Sequence, residues 1–529
     1  MKKVKRRIAV IDFETDPFKY GRIPKPFAWG FYDGEKYVDH WESDTADNGR
    51  CVNALVDFII DYGNDVGDML IYAHNGGKFD FLFMLPYLSG DIKIVNGRIL
   101  QANLEKHLLR DSYAIMPIKL AKLGDKLDIE YEKMEADVRE DNKDEILVYL
   151  KADCVELHKA VMAFVDEFGD SLTIGGTAMR ALKTFHKFET ANQSFDSIFR
   201  NYYYGGRCQC FETGIIETNI KGYDINSSYP DVMKNCKHPV SSDFEFTSSV
   251  TPETSFVCWE GENNNAVPVR EKNGLNFNAP DGRFWSTIHE FNVALEFDLI
   301  RPRKIVHAVE FGKVMPFEQF IDHFFAARRI AKIDGNKFLD LFYKLILNSA
   351  YGKFAQNCEN FKDSIILPYG EVPGDPYELE FTHGEYAIWS KPSGTKTYYN
   401  VATAASITGG ARASLLRGIS MADRPLYCDT DSVYCEGMRD GLKIDSALLG
   451  AWDLEFEGDR IAIAGKKLYA VEKDGVCIKT ASKGVKLSGA QIFEIAQGAT
   501  IEYASPVPAF KLDGNHQFIN RRIRRTANL

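Results

Sequence analysis

Residues 223–230 read YDINSSYP, and residues 426–434 read LYCDTDSVY. In the first stretch Asp224 stands at the end of a probable strand, just before turn-forming residues. In the second stretch Asp429 and Asp431 lie at a hairpin-like turn between two apolar runs. The two stretches therefore predict a β-sheet in which carboxylates from distant parts of the chain come together.

These carboxylates could form a metal site. Asp224 and Asp431 would bridge two divalent ions, and the Ile225 carbonyl would be a backbone ligand. Asp429 would support the site. Because all of these ligands are oxygen atoms, Mg²⁺ or Mn²⁺ is favoured over zinc.

A helical hairpin is predicted between about residues 316 and 356, where two helical patterns flank the tight turn Asp334-Gly335-Asn336. The second helix carries one polar stripe opposite an apolar face, formed by Lys337, Lys344, Asn348 and Tyr351. Phosphoryl transfer needs a cation aimed at the phosphates. Lys344 would supply this cation, while Tyr351 would pack on the nucleotide.

A second group of acids begins in the N-terminal stretch RIAVIDFE, residues 7–14. Its period of two predicts a strand whose one face ends in Asp12 and Glu14. Apolar residues at spacings of three and four predict an amphipathic helix over about 142–168. The stretch YLKAD within this helix places Tyr149 one turn before Asp153.

Four carboxylates from three separate segments could therefore cluster: Asp12, Glu14, Asp80 and Asp153. Clustered carboxylates repel one another unless cations neutralise them, and two divalent metal ions would also support phosphodiester hydrolysis. Tyr149 could orient the attacking water, and Asn75 could hold a frayed strand. Phe79 could offer a stacking platform for single-stranded DNA.

Composition indicates a globular protein of more than one domain. The chain has 529 residues, and glycine and serine after the predicted helix place a domain boundary near residue 170. The net charge of -11 argues against binding to nucleic acid, but basic residues cluster between 328 and 353 and again at 521–525. The ten cysteines show no zinc pattern, and we expect neither zinc nor a membrane span.

Six motifs in order resemble those of the family B DNA polymerases, in the protein-primed branch of phages and linear plasmids. DFETD, HNGGKFD and YLKAD resemble the three exonuclease motifs, whereas DINSSYP, KLILNSAYG and YCDTDS resemble the three polymerase motifs. The resemblance implies an α/β (α+β) multidomain fold. An RNase H-like 3′-5′ exonuclease domain would precede a right-hand polymerase with palm, fingers, thumb and two insertions.

The resemblance also implies domain bounds. Residues 1–170 would form the exonuclease domain and residues 171–529 the polymerase domain. Within the second we expect the palm at about 190–240 and 400–480, insertion 1 at about 241–315, the fingers at about 316–358, insertion 2 at about 359–399 and the thumb at about 481–529.

Further site residues are implied by the resemblance alone. A YxGG element that holds template DNA would comprise Tyr203, Gly205 and Gly206, and a KxY element near the primer terminus would comprise Lys467 and Tyr469. Ser227 and Tyr229 would line the triphosphate pocket, where the Tyr229 ring would exclude a ribose 2′-hydroxyl. Other candidates are Thr408 and Arg412 for DNA contact, Ser112 for single-stranded DNA and Lys133 for exonucleolysis.

The implied function is DNA-directed DNA synthesis with 3′-5′ proofreading, by a two-metal mechanism with Mg²⁺ or Mn²⁺. Primer-template DNA, deoxynucleoside triphosphates and a terminal protein primer would be its partners, in the cytoplasm of a phage host. Two alternatives stay open. One is a conventionally primed family B polymerase without a terminal protein, and the other is a protein that acts only as a nuclease or DNA-binding protein.

Overall fold

The structure is a computed structural model that describes residues 6–18, 24–42, 49–120, 129–191, 193–272, 274–356, 362–393, 398–484, 486–509 and 517–527. None of the helices in these ranges combines the length and the apolar character needed to cross a membrane.

Helices and strands alternate along the whole chain. The N-terminal part contains β1 Arg7–Thr15, β2 Pro26–Tyr32, β3 Tyr37–Trp41, α1 Arg50–Val66, β4 Met69–Ala73, α2 Asp80–Phe83, β5 Ser89–Val95, β6 Arg98–Leu104, β7 His107–Asp111, α3 Lys143–Phe168, α4 Ile174–Phe185 and α5 Gln193–Phe199. The next part contains β8 Cys208–Cys210, β9 Gly214–Ile225, α6 Ser228–Asn235, β10 His238–Pro239, β11 Phe244–Thr247, β12 Thr254–Asn263, β13 Val269–Glu271, β14 Gly274–Asn276, β15 Asp281–Thr287, α7 Ile288–Glu296, β16 Ile300–Phe311 and β17 Val314–Met315.

The remaining elements include the predicted helical hairpin. They are α8 Glu318–Ile333, α9 Lys337–Phe354, β18 Lys362–Pro368, β19 Glu378–His383, β20 Tyr386–Pro392, α10 Val401–Met421, β21 Ala422–Asp423, β22 Tyr427–Asp429, β23 Ser432–Cys435, β24 Gly437–Met438, β25 Trp452–Gly465, β26 Leu468–Lys473, β27 Val476–Ser482, α11 Gly489–Ala496, β28 Ile501–Ala509 and β29 Gln517–Arg525. The C-terminal arginine cluster thus belongs to β29, which pairs with β28 in a two-stranded ribbon.

Strand β1 lies between two helical layers. Ile8 and Val10 belong to the core that contains α3. The alternate residues Ala9 and Ile11 belong to the core that contains α1. Because side chains alternate along a strand, Asp12 and Glu14 continue the face that meets α3. The sheet therefore presents both acids to the helix that carries Tyr149 and Asp153, as the sequence periodicity predicted.

The largest sheet has ten strands in the order β19-β20-β18-β5-β6-β7-β4-β1-β2-β3. Strand β1 pairs in parallel with β4 and antiparallel with β2. The three strands at one edge come from residues 362–392, within the predicted insertion 2, and β18 pairs antiparallel with β5. These three strands extend the sheet formed by the N-terminal strands.

A seven-stranded sheet holds the second group of acids. Its order is β27-β26-β25-β9-β23-β22-β8, so β9 lies between β25 and β23. A four-stranded sheet in the order β11-β16-β12-β15 forms the body of the predicted insertion 1.

One hydrophobic core joins α3 to the helical hairpin. Phe164 on α3 contacts Phe342 on α9 with their ring centroids 5.2 Å apart, and neither side chain is accessible to solvent. The Tyr343 hydroxyl donates a hydrogen bond of 2.7 Å to Glu167 Oε1 beside these rings. Aromatic pairs of this kind add to the free energy of apolar burial, so this core connects the N-terminal sheet to the hairpin.

Replacing Phe164 by Ala should reduce the free energy of unfolding by about 3–5 kcal/mol, because it leaves a cavity between α3 and α9. Urea denaturation followed by circular dichroism would measure this loss. Val148→Ala is the matched control on the same helix, since Val148 is 58% exposed. Equal stability of the two variants would contradict a shared core.

Candidate active sites

The first candidate site is a cavity of about 500 Å³ at the end of β1. Asp12 and Glu14 reach it from β1, and Tyr149 and Asp153 reach it from α3. Phe79 also lines the cavity, and its ring centroid lies 5.7 Å from that of Phe18. The structure thus brings three of the four predicted acids, the tyrosine and the candidate stacking residue to one opening.

Asp80 lies behind this cavity as the first residue of α2. It is buried, and its Oδ1 accepts a hydrogen bond of 3.3 Å from the Phe13 N–H, next to Asp12. Burial, followed by the nearby Asp111 carboxylate, raises the pKa of Asp80 to about 7. A nearby cation would lower this pKa and favour the ionised carboxylate at neutral pH.

The Tyr149 hydroxyl stays protonated at neutral pH. Burial, followed by the charges of Asp153 and Glu14, raises the pKa of Tyr149 far above its usual value. The hydroxyl can therefore donate a hydrogen bond to a water or phosphate oxygen that enters the cavity.

Asn75 and Ser112, the two other residues predicted to contact single-stranded DNA, lie outside the residues that line the cavity. Asn75 has a left-handed backbone with φ of 64°, and its side-chain oxygen accepts a hydrogen bond of 2.8 Å from Arg98. Ser112 has no solvent exposure and its hydroxyl contacts His74 Nδ1 at 3.0 Å. The side chain of Ser112 is buried at the start of a short 3₁₀ turn, and its contact with single-stranded DNA stays a prediction.

Lys133 lies in the 3₁₀ helix Tyr131–Met134 at the cavity margin. Its Nζ pairs with Glu145 Oε1 at 2.7 Å, and Lys133 is absent from the residues that line the cavity. The choice of Lys133 as the lysine that assists exonucleolysis is therefore not supported, because this ion pair directs its ammonium group to α3.

The second candidate site lies where β9, β23 and β25 meet. Asp224 on β9 is the register partner of Ser432 on one side and of Asp453 on the other. The Ile225 N–H donates a hydrogen bond of 2.8 Å to the Asp431 carbonyl, which holds the turn against the end of β9. The predicted convergence of Asp224 and Asp431 is thus present.

Both carboxyl groups lie in an unfavourable electrostatic setting. Burial, followed by the charges of Asp431 and Glu455, raises the pKa of Asp224 to about 7. Burial, followed by the charge of Asp429, raises the pKa of Asp431 to about 6. Divalent cations would relieve this repulsion.

Oxygen donors at both sites suit divalent ions of the magnesium type. Among the described residues, however, no three acidic, histidine or cysteine side chains converge as a complete metal cluster. Magnesium usually takes one or two protein carboxylates and completes its shell with water and substrate phosphates. The residues present therefore fit ions that bind together with a phosphate-containing substrate.

Three charged residues of this site were missed by the sequence analysis: Asp453, Glu455 and Lys479. Lys479 Nζ lies 2.9 Å from Glu455 Oε2, and its charge also acts on Asp224. The signal available was the alternation of acids in WDLEFE, residues 452–457. Only the pairing of β25 with β9 shows that this alternation faces Asp224.

The KxY residues lie on the same sheet. Lys467 Nζ pairs with Asp429 Oδ2 at 2.9 Å, so its ammonium group is next to the Asp429–Asp431 turn. Tyr469 is buried, and its hydroxyl hydrogen-bonds with that of Tyr434 at 2.7 Å. Lys467 can thus reach a ligand at the turn, whereas Tyr469 supports the sheet beneath it.

The hairpin helix α9 faces this site through a tyrosine pair. Tyr351 stacks on Tyr229 with ring centroids 4.1 Å apart and an interplanar angle of 5°. Asp431 is among the groups that raise the pKa of both hydroxyls. Ser227, with φ of 52°, precedes α6 and turns the chain from Asp224 towards the tyrosine pair.

The other stripe residues of α9 are exposed. Lys337, Lys344 and Asn348 face solvent, whereas Phe342 on the opposite side is fully buried. The amphipathic pattern predicted for α9 is therefore present, with its polar side available to a ligand.

Arg412 holds the YxGG loop from inside the core. Its guanidinium forms two hydrogen bonds to Glu290, at 2.7 and 2.9 Å, and both residues are 2% exposed. It also donates to the carbonyls of Tyr204 at 2.6 Å and Gly205 at 3.0 Å. Thr408 is equally buried on the same helix. Both residues lie in the core because α10 passes through it, and their contact with DNA stays a prediction.

Replacing Arg412 by Met should reduce the free energy of unfolding by about 3–5 kcal/mol, because it leaves the Glu290 carboxylate buried without its partner. Urea denaturation would measure the loss. Arg417→Met on the same helix is the control, since Arg417 pairs with Glu296 at the surface at 2.6 Å and should contribute less than about 1 kcal/mol. A small effect in both variants would show that Glu290 is compensated by other groups.

Comparisons with known proteins show which family this chain is similar to. The family described as "DNA polymerase type B, organellar and viral" matches residues 135–388. The DNA-directed DNA polymerase of Enterobacteria phage PRD1 is 48% identical over 99% of both chains. A DNA polymerase of Kluyveromyces lactis is 22% identical over 79% of this chain, which spans about half of that relative's length (52%).

Solved structures share the complete fold. Phi29 DNA polymerase in an orthorhombic crystal form has a TM-score of 0.75 at 18% identity, over 99% of this chain and 100% of the other. Phi29 DNA polymerase complexed with primer-template DNA and incoming nucleotide substrates has a TM-score of 0.75 at 20% identity, with the same coverage. The multidomain fold class predicted from the motifs is therefore confirmed. With the full-length similarity to the phage PRD1 enzyme, the chain belongs to the type B DNA polymerases of organelles and viruses.

Proposed function

We propose that this type B DNA polymerase extends a primer at the Asp224–Asp431 site and removes 3′-terminal nucleotides at the Asp12–Asp153 site. The observation that carries this proposal is the presence of two acidic sites on two different sheets. Each site combines carboxylates with groups suited to a nucleotide, and neither shares a residue with the other.

In synthesis, the primer 3′-hydroxyl attacks the α-phosphate of a deoxynucleoside triphosphate, and pyrophosphate leaves. Asp224, Asp431 and the Ile225 carbonyl would hold two Mg²⁺ or Mn²⁺ ions, which supply activation of the hydroxyl and neutralisation of the phosphates when bound. Asp429 orients Lys467 through their ion pair. The register of Asp453 with Asp224 places a further carboxylate at the edge of the site.

The polar side of α9 would bind the triphosphate. Lys344 and Asn348 are exposed on this side, so Lys344 can place its charge on the β- and γ-phosphates. The stacked Tyr229 and Tyr351 rings form a flat wall beside Asp431. A ring beneath the sugar leaves no room for a 2′-hydroxyl, which favours deoxynucleotides, and Ser227 would line the same pocket.

In proofreading, a water molecule attacks the terminal phosphodiester bond, and a nucleoside monophosphate leaves. Asp12, Glu14, Asp80 and Asp153 would hold two divalent ions at the base of the cavity. The protonated Tyr149 hydroxyl orients the water through a hydrogen bond. Phe79 offers its ring to the terminal base, and Asn75 would steady the frayed strand.

The division of the chain follows from the two sites. Residues 1–170 would form the exonuclease domain and residues 171–529 the polymerase domain. Because β18–β20 extend the N-terminal sheet, insertion 2 would lie beside the exonuclease domain while belonging to the polymerase in sequence. The backbone of the YxGG residues Tyr203, Gly205 and Gly206 would hold the template between the domains.

We further propose that synthesis begins on a terminal protein, whose hydroxyl group takes the place of the primer 3′-hydroxyl. Two observations favour this over conventional priming: the full-length similarity to the phage PRD1 enzyme and the fold shared with Phi29 DNA polymerase. A folded unit of four strands also occupies the predicted insertion 1, where a terminal protein would dock. A phage-encoded enzyme of this kind would act in the host cytoplasm.

Extension and degradation of a labelled recessed primer should separate the two sites. With Mg²⁺ and deoxynucleotides, Asp431→Ala should slow extension more than about hundredfold, because it removes a metal ligand. Without nucleotides, Asp12→Ala should slow degradation by a similar factor. Each variant should keep the other activity.

Glu457→Ala is the control for both assays, because Glu457 lies on β25 and pairs with Lys221 at 3.6 Å away from the acids. It should extend and degrade like the wild type. A wild-type protein that extends primers but degrades neither strand would disprove the exonuclease proposal. Degradation without extension of any primer would instead favour the nuclease alternative.

Protein priming predicts a covalent product. Incubation with a candidate terminal protein and an α-³²P deoxynucleotide should transfer the label to a Ser, Thr or Tyr of that protein, and Asp431→Ala should abolish the transfer. Denaturing gel electrophoresis would detect the labelled protein. Extension of oligonucleotides with no labelling of any protein from the same replicon would favour the conventionally primed alternative.

A further inference from the structure

The loop of residues 203–207 is held by two arginines, Arg270 from β13 and Arg412 from α10. Arg270 donates a hydrogen bond of 2.6 Å to the Tyr203 carbonyl, and Arg412 donates to the carbonyls of Tyr204 and Gly205. The guanidinium carbons of Arg270 and Arg412 each lie 5.4 Å from the centre of the Tyr204 ring. The two arginines thus hold the carbonyls of Tyr203, Tyr204 and Gly205 and the ring of Tyr204 in place.

This arrangement also directs the amides of the loop. The peptide bonds here are trans, and in a planar trans peptide the N–H points away from the preceding carbonyl. The Tyr204 N–H therefore points away from Arg270, and the N–H groups of Gly205 and Gly206 point away from Arg412. Backbone N–H groups are common donors to DNA phosphates.

Arg270 belongs to the small ribbon β13–β14 of the predicted insertion 1, and this ribbon contacts the loop at further points. The Phe277 ring lies 4.4 Å from the guanidinium carbon of the buried Arg207. Asn278 accepts a hydrogen bond of 3.1 Å from Gln209. Residues 269–272 and 274–278, which we call the clamp ribbon, therefore contact the loop at its start and at its end.

The other end of the loop contacts the catalytic turn. The Arg207 carbonyl accepts a hydrogen bond of 2.6 Å from the N–H of Thr430, which stands between Asp429 and Asp431 with φ of 61°. A Cβ on Gly206 would lie 2.9 Å from Thr430 Oγ1, so only glycine permits this close approach. A displacement of the loop would therefore displace the turn.

We propose that the clamp ribbon is a positioning element by which insertion 1 sets how firmly primer-template DNA is held for synthesis. Arg270 and Phe277 hold the loop with its amides towards the template and its end against the Asp429–Asp431 turn. When this contact is lost, the DNA is released more often from the polymerase site to the exonuclease site. The inference rests on the proposed division between those two sites.

The exposure of Arg270 makes the contact adjustable. Arg270 lies at the surface, whereas Arg412 is buried with Glu290. A ligand that moves insertion 1 could therefore break the Arg270 contact without opening a core. Arg270 is thus a positioning residue, because it touches the loop and not the reacting atoms.

The test compares Arg270→Ala with the full-length wild type. Loss of one charge-assisted hydrogen bond should raise the Kd for a recessed primer-template about fivefold to tenfold, measured by gel retardation without Mg²⁺. The nucleotide concentration at which extension balances degradation should rise by a similar factor. Degradation of a single-stranded oligonucleotide should stay unchanged, and so should the urea midpoint of unfolding.

Three further variants separate positioning from charge. Arg303→Ala removes an exposed arginine of the same region that pairs with Asp281 at 2.6 Å, and it should leave Kd and the balance unchanged. Phe277→Leu removes the contact with Arg207 without changing charge, and it should shift the balance in the same direction as Arg270→Ala. Arg270→Lys keeps a donor and should restore at least part of the loss.

The inference would be overturned if Arg270→Ala and Arg303→Ala had the same Kd and the same nucleotide concentration at which extension balances degradation. If the wild type degrades no DNA, the exonuclease proposal fails, but this result does not test the role of the clamp ribbon. The comparison of Kd values, and of KM for the nucleotide in extension, would still decide the role of the clamp ribbon.

Discussion

Asp224 and Asp431 lie on neighbouring segments of one sheet, where burial, followed by repulsion from nearby carboxylates, raises the pKa of both groups. Two carboxylates can stay together in such a place only because the backbone around them is rigid and a cation can compensate them. The sheet meets the first need, since the Ile225 N–H holds the turn that carries Asp431. A phosphate-containing substrate that binds together with divalent ions would meet the second.

The N-terminal acids follow the same principle with different elements. Strand β1 presents Asp12 and Glu14 to α3, while Asp80 is anchored to the backbone of the same strand. A strand, a long helix and a short helix thus each contribute part of one acidic cavity. Because β1 packs on one face against the core of α3 and on the other against the core of α2, the acids keep their positions despite their repulsion.

The packing between the two halves relates the sites to one another. Helix α3 carries Tyr149 and Asp153 in its first half and packs Phe164 against α9 about three turns further along. Helix α9 in turn brings Tyr351 onto Tyr229 beside the second site. One helix of the first site thus contacts the nucleotide-facing helix of the second, and a ten-stranded sheet carries residues 362–392 next to the N-terminal strands.

The sequence by itself determined the elements and the acids, because strand and helix periodicities are local properties of the chain. It predicted β1, α3 and the α8–α9 hairpin, and its ordered motifs identified the family. Tertiary structure alone decided which polar residues reach a ligand, because burial depends on neighbours distant in sequence. Arg412 and Ser112 are polar in the sequence but buried in the fold, and Glu455 becomes part of a site only because β25 pairs with β9. The contact of Arg270 with the loop was likewise unpredictable, since it joins segments that no periodicity relates.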